Sequence, residues 1–236
     1  MNIEEYNQQT IDLESKSIAK SFVANVFSWM TLALVVSGAT AWWFASSGLI
    51  VNILSGSKLL FWLIVLAPLG LVMVMSFSLN KLSVAALTGL FIAYSAVNGI
   101  SLSTIFLIYA MSSIAKVFFI TAGLFVTMAF IGYTTKTDLT KMGSILMMAL
   151  IGIIIASVVN FFMQSSAMDY VISCIGVLIF TGLTAYDTQK IKRIGAGVEY
   201  GSATAGKLAI MGALSLYLDF INLFLFLLRI FGGRKD

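Results

Sequence analysis

Carboxylates are scarce in this chain, and two of them stand where a carboxylate is costly. Ten Asp and Glu occur among 236 residues. Eight sit in polar stretches: Glu4, Glu5, Asp12, Glu14, Asp138, Asp169, Glu199 and Asp236. The other two, Asp187 and Asp219, end or interrupt long apolar runs, and no acid lies between Ser15 and Thr137. A carboxylate at the centre of a membrane helix costs about 2.5–3.5 kcal/mol, so such residues usually face a protein interior and mark an ion or proton path. There is no His, which excludes an imidazole pH switch, His metal ligation and Ser-His or Cys-His catalysis. The single cysteine, Cys174, lies in an apolar run, so an intrachain disulfide and a thiol metal cluster are excluded too. Asp187 has a plainer alternative, since it lies three residues before Lys190 and could be an ordinary helix-end acid.

Both aspartates have polar company at helical spacing. Gly212, Ser215, Asp219, Asn222 and Arg229 share an arc of about 100°, with Leu, Ile and Phe opposite, as fits a helix packed inside a bundle. Arg229 is ten residues beyond Asp219, about 15 Å along the axis and too far for a direct pair. Asp187 shares its side with Ser173, Gly176, Phe180 and Thr184. A third stripe runs Tyr94, Asn98, Ser101, Tyr109, Ser112, and a weaker one Ser157, Asn160, Gln164. Such faces could line a small hydrated path whose oxygen ligands suit a hard cation such as Ca²⁺, held transiently near Asp187 and Asp219. The alternative is structural: small and hydroxyl residues in membrane helices let neighbours approach and bond to one another.

The elements that must position these residues are set by composition. The chain is 60% hydrophobic and 10% charged, against roughly 25% charged in soluble domains. Its solvent must therefore be lipid. Fourteen Lys and Arg and a net charge of +4 are scattered in ones and twos, which is a membrane-loop pattern and not a nucleic-acid footprint. Apolar segments run approximately 22–45, 59–79, 84–109, 114–133, 144–163, 170–186 and 208–228. Each approaches the roughly 17–25 residues that cross a bilayer as helix, and backbone groups in lipid must bond within their own segment. The expected fold is an all-α membrane protein of seven transmembrane helices, residues 22–236, after a polar arm at residues 1–21. The expected cofactor content is none.

Nine cations (Lys16, Lys20, Lys81, Lys136, Lys141, Lys190, Lys192, Arg193, Lys207) fall on the side of the N-terminus, and only Lys58 and Lys116 on the other. That bias puts the arm in the cytoplasm. Arg229, Arg234 and Lys235 would lie outside if the seventh segment crosses fully, and inside if it is re-entrant; its length favours full crossing. Counted from Lys190 and Lys207, the two aspartates miss each other by about two turns. The mismatch closes only if the seventh helix enters the membrane near Met211 or the sixth continues towards Lys192. If they meet, two carboxylates in a poor solvent cannot both ionise cheaply, and the pair titrates as one unit.

The sixth-segment ending GLTAYDTQKIKR (Gly182–Arg193) and the seventh segment GALSLYLDFINLFLFLLRIFG (Gly212–Gly232) resemble the signature stretches of the Bax inhibitor-1 (transmembrane Bax inhibitor motif) family, bacterial branch. The resemblance implies a seven-helix membrane bundle with the last helix central among the other six, in a bacterial inner (cell) membrane. It implies a pH-sensitive Ca²⁺ leak channel, with Asp187 and Asp219 as the paired, proton-responsive gate. Some family members also hold the aspartates with an arginine of the second span. Nothing between Leu59 and Leu79 is basic here, so that latch differs, is supplied by Lys81, or is missing.

Two other function classes stand beside the channel. Some bacterial relatives resemble regulators of a membrane quality-control protease, so the chain could be a non-transporting partner of such a protease or of a stress pathway, using the arm and the basic stretch 190–207 as contact surfaces. An intramembrane aspartyl protease would use the two aspartates as an acid/base dyad. Against it, Asp219 lacks flanking glycines and Pro68 is the only proline. No lysine lies between Leu208 and Leu228, which closes the retinal-photoreceptor option. The expected partners are Ca²⁺ and lipid; the expected class is not an enzyme; the expected polar network is Tyr94, Asn98, Ser101, Thr184, Ser215 and Asn222.

Overall fold

The computed structural model describes residues 3–56, 58–199, 201–233 and 235, with side chains from Ser17 onward except at 58 and 61. The described elements are helices: α1 (Ile3–Ser46), α2 (Leu49–Gly56), α3 (Lys58–Phe77), α4 (Val84–Leu102), α5 (Ile105–Ile108), α6 (Met111–Thr134), α7 (Thr140–Met163), α8 (Ser166–Gly197) and α9 (Ala203–Phe231). Six spans among the described residues are long and apolar enough to cross a membrane, and the 20-residue α3 supplies the seventh. The expected segments are recovered in order, with four differences. The first helix begins at Ile3, within the stretch expected as a polar arm at residues 1–21. A short helix, α2, fills the first joint. The third segment breaks at Ser103–Thr104 into α4 and α5. The sixth runs on well past Tyr186, to Gly197.

The chain forms two compact units, residues 1–102 with 190–214, and residues 103–189 with 215–236. In the first, Gly99 of α4 lies so close to Ser37 and Thr40 of α1 that a Cβ would not fit, and the Ser37 hydroxyl donates to the Ser95 carbonyl at 2.8 Å. Lipid tails are as apolar as the side chains they replace, so close backbone approach and interhelical hydrogen bonds hold the pair together. Pro68 lies inside α3. A proline has no N–H for the carbonyl four residues earlier, here that of Ile64. The Ser101 hydroxyl of α4 donates to that carbonyl at 2.8 Å, so a group that lipid could not satisfy is satisfied by the neighbouring helix. Trp42 and Trp43 at the end of α1 and Trp62 near the start of α3 are each more than half exposed, as aromatic side chains are at a membrane interface.

In the second unit α8 is held at close range by α6 and α7. A Cβ on Gly132 of α6 would overlap the backbone of Ala185, and one on Gly143 of α7 would enter the Tyr186 ring. Against α9, Gly176 makes room for the Phe226 ring. Between α6 and α9 the contact is aromatic, with Phe220 at 5.5 Å from Phe118 and 5.4 Å from Phe125.

Each end of α9 is fixed inside its own unit. Ser202 caps the first turn, accepting from the Ala205 N–H at 3.1 Å, and Gly206 packs on Val84 at the start of α4. At the other end the Gly233 N–H donates to Ser113 Oγ at 3.1 Å, the Ala110 N–H to the Gly233 carbonyl at 3.1 Å and the Lys235 N–H to the Ile108 carbonyl at 2.9 Å. Helix α9 has 29 residues and is about 43 Å long, long and apolar enough to cross a membrane. It is also the most buried span: 61% of its apolar window is buried, against 11–39% in the other five long spans. That is the burial a central helix needs.

Candidate functional site

Asp187, Asp219, Thr184, Ser215 and Asn222 all fall in the second unit, while Tyr94, Asn98 and Ser101 belong to the first. The aspartates come from α8 and α9, and the close contacts between these helices set their relative height. Gly176 meets Phe226, and Ile191 meets Gly212. The antiparallel register that these contacts impose puts Asp219 level with about Thr184, so Asp187 lies about one turn, roughly 5 Å, further along α8. The two-turn mismatch read from the loop lysines is closed by the second of the expected routes: α8 continues past Lys192, which moves Asp187 inward from the helix end.

Asp219 is 4% exposed, and its Oδ2 atom has no hydrogen-bond partner. Asp187 is half-buried and its charge lies within electrostatic reach of Asp219. Buried polar atoms are almost always paired, so an orphaned carboxylate oxygen deep in a membrane helix is an exception that asks for a reason. Among the described residues the other orphan is the Thr181 hydroxyl, about two turns before Asp187 on α8. No group of three or more potential metal-ligating acids or cysteines occurs among the described residues.

The remaining network residues divide by what their donors do. Thr184 Oγ1 donates to the Phe180 carbonyl at 2.7 Å and Asn222 Nδ2 to the Leu218 carbonyl at 2.8 Å, each within its own helix. Ser215 is half-buried on the helix that carries Asp219. Tyr94 is buried and Asn98 half-buried on α4. Ser101 serves the Ile64 carbonyl, which makes it a packing residue. Arg229, too far from Asp219 to pair with it, bonds Asp169 at 3.5 Å.

Sequence reasoning singled out Asp187 and passed over its neighbours. Tyr186 fills the space that Gly143 leaves. Thr188 Oγ1 donates to the Thr184 carbonyl at 2.7 Å. Gln189 is 7% exposed and spends both ends of its amide on the α6–α7 connection: Nε2 donates to the Thr137 carbonyl at 2.8 Å, and Oε1 accepts from the Leu139 N–H at 2.9 Å. The available signal was an amide side chain at i+2 from a membrane-edge acid, within a run that is otherwise apolar or basic.

The family described as "Inhibitor of apoptosis-promoting Bax1" matches residues 19–236. The chain is 46% identical over 217 residues to "Inner membrane protein YbhL" of Escherichia coli, covering 92% of this chain and 93% of that one. It is 46% identical over 219 residues to an uncharacterized protein of Borreliella burgdorferi, covering 93% and 94%, and 41% identical over 224 residues to one of Rickettsia prowazekii, covering 92% and 91%. With the full set of spans matched from Ala19 onward, the chain is a multi-pass membrane protein belonging to the Bax inhibitor-1 family.

Proposed function

We propose that the chain is a passive, proton-responsive cation leak pathway of a bacterial inner membrane, N-terminus in the cytoplasm, with Ca²⁺ as its best-suited cargo and no catalytic reaction. One observation carries this reading: a carboxylate oxygen of Asp219 is buried without a partner within electrostatic reach of Asp187. A carboxylate with an unpaired oxygen in this position is costly to keep, and function is the reason to keep it. The pair shares protons as a unit. A change in its protonation alters repulsion and hydrogen bonding between α8 and α9, and α9 shifts to open or close the path.

The test is Ca²⁺ entry into dye-loaded proteoliposomes, followed from about pH 5 to about pH 8, the range over which a shared carboxylate proton can exchange. Wild type is expected to leak with a pH dependence, and Asp219→Asn and Asp187→Asn to leak at a rate that no longer follows pH. Equal flux and equal pH dependence in wild type and Asp219→Asn would refute the reading. Loss of transport-independent phenotypes on deleting residues 1–16, with no flux at any pH, would favour the protease-regulator class.

A further inference from the structure

We propose that a cavity in the first unit, framed by the starting turns of three spans, is a headgroup site for an anionic phospholipid. Ser21, Asn25 and Ser202 bond the phosphodiester, and Lys20, Lys81 and Lys207 balance its charge. The proposal is independent of the gating reading, since every residue it uses lies in the first unit.

The cavity measures about 500 Å³, within the roughly 300–1,000 Å³ of small-molecule sites. Ser21, Phe22 and Asn25 line it from α1, Val84 from α4, and Ser202 and Ala205 from the start of α9. The apolar spans of these helices begin at Ser17, Val84 and Ala203. A cavity framed by span starts lies at the depth of lipid headgroups, where the surroundings change from water to hydrocarbon. Its walls are mixed. Phe22 and Ala205 are buried apolar residues, whereas Ser21 and Asn25 are exposed and make no side-chain hydrogen bond among the described residues. The Ser202 hydroxyl accepts from the Ala205 N–H at 3.1 Å, which leaves its own proton to donate.

The polar wall continues along α1. Ser17, Ser21, Asn25 and Ser28 are all exposed and share an arc of about 80° on one helix face. Ser28 is satisfied by the Ala24 carbonyl at 2.8 Å. Asn25 is eight residues into the span, about 12 Å along the helix, and an amide left without a partner in an apolar surrounding is costly. A headgroup reaching into the cavity supplies the acceptor. Charge favours an anion. Lys20 adjoins Ser21 and Lys81 is three residues before Val84. Lys207 follows Gly206, which packs on Val84, and its Nζ donates to the Asn80 carbonyl at 3.5 Å. The acids nearest in sequence, Glu14 and Glu199, come before Ser17 and Ala203, outside the apolar spans. Basic pockets between membrane helices take anionic lipid headgroups, and the apolar walls favour a lipid over a soluble anion.

The experiment uses the full chain in detergent micelles, offered phosphatidylglycerol and phosphatidylcholine of equal chain length. Native mass spectrometry reads the lipid retained. Wild type is expected to retain phosphatidylglycerol in preference. Lys20→Gln, Lys81→Gln and Lys207→Gln are each expected to lower that preference about fivefold, and Asn25→Leu, which leaves the volume nearly unchanged, about tenfold. Ser21→Trp fills the cavity while keeping every lysine, and is expected to abolish retention; circular dichroism and thermal unfolding check that both lining variants are folded. Equal retention of the two lipids by wild type overturns the proposal. So does an undiminished preference in Asn25→Leu and Ser21→Trp, which would reduce the effect to diffuse charge. A third arm titrates inorganic phosphate without lipid, followed by phosphorus NMR. Phosphate binding that Ser21→Trp abolishes would make the cavity a soluble-anion site and overturn the lipid assignment.

Discussion

Removing the Ser101 hydroxyl tests whether that residue belongs to a polar path or to the packing of the first unit. The structure assigns it to packing, because its partner is the Ile64 carbonyl that Pro68 leaves without a donor. In Ser101→Ala that carbonyl is orphaned in an apolar surrounding. A buried orphan costs about 1–3 kcal/mol, while side-chain hydrogen bonds in membrane bundles average about 0.6 and reach about 1.7 kcal/mol. The loss expected here is about 1 kcal/mol, since a weaker second acceptor, the Val97 carbonyl at 3.4 Å, shows that the hydroxyl is not wholly committed. Pro68→Ala restores an N–H at the position that ordinarily serves Ile64. In that background Ser101→Ala is expected to cost close to nothing, giving a coupling of about 1 kcal/mol in the double-mutant cycle. Reversible unfolding in mixed micelles measures the four stabilities, and Ca²⁺ flux in proteoliposomes is followed in parallel. Equal cost of Ser101→Ala in both backgrounds refutes the proline-rescue reasoning. A change in flux with unchanged stability would return Ser101 to the path.

Other substitutions test the remaining contacts. Gly132→Leu drives a side chain into the Ala185 backbone and is expected to destabilise by more than about 2 kcal/mol or to abolish folding, whereas Gly152→Leu, with open space around it, is expected to change stability by less than about 0.5 kcal/mol; thermal unfolding in detergent reads both. Asp169→Asn breaks an ion pair whose two side chains are about half exposed, so unfolding is expected to shift by less than about 1 kcal/mol, and less still at high salt. Removing residues 233–236 deletes the bonds to Ser113, Ala110 and Ile108, and faster exchange at the Ala110 amide is the expected outcome. Single cysteines replacing Lys235 and Lys190, in a Cys174→Ser background, are expected to label with impermeant reagent from opposite sides of the membrane, as a full crossing by the 29-residue α9 requires; labelling from one side would make it re-entrant.

Much of the fold was legible because lipid leaves the backbone few options. Seven apolar runs had to be helices, and they are, although α1 starts well before the expected residue 22 and α8 ends well after the expected residue 186. What the runs could not show was where a helix stops once it leaves the lipid. The expected end of the sixth segment at Tyr186 marked a change of polarity. The helix carries Lys190, Lys192 and Arg193 on to Gly197, because solvated straight-chain cations are good helix formers. That misplaced end produced the false two-turn gap between the aspartates. The break at Ser103–Thr104 was equally hidden, since serine and threonine inside an apolar run read as interior polar residues. The site was legible as far as charge: Asp187 and Asp219 stood out because acids were absent around them. Gln189 and the glycines facing Ala185 and Tyr186 did not, because neutral amides and small residues acquire meaning only from what lies opposite.

The four consecutive residues Tyr186, Asp187, Thr188 and Gln189 show why a short motif can carry so much of a membrane site. On a helix, successive side chains point about 100° apart, so four in a row reach every neighbour. Tyr186 meets α7, Thr188 turns back to the Thr184 carbonyl and Gln189 takes the connection, while Asp187 lies within electrostatic reach of α9. Tyr186 and Gln189 tie this turn of α8 to α7 and to the connection, while the Thr188 bond stays within α8. Under the proposed gating, an acid held in this way meets Asp219 at a height set by its neutral neighbours, which is why the neighbours matter as much as the acid.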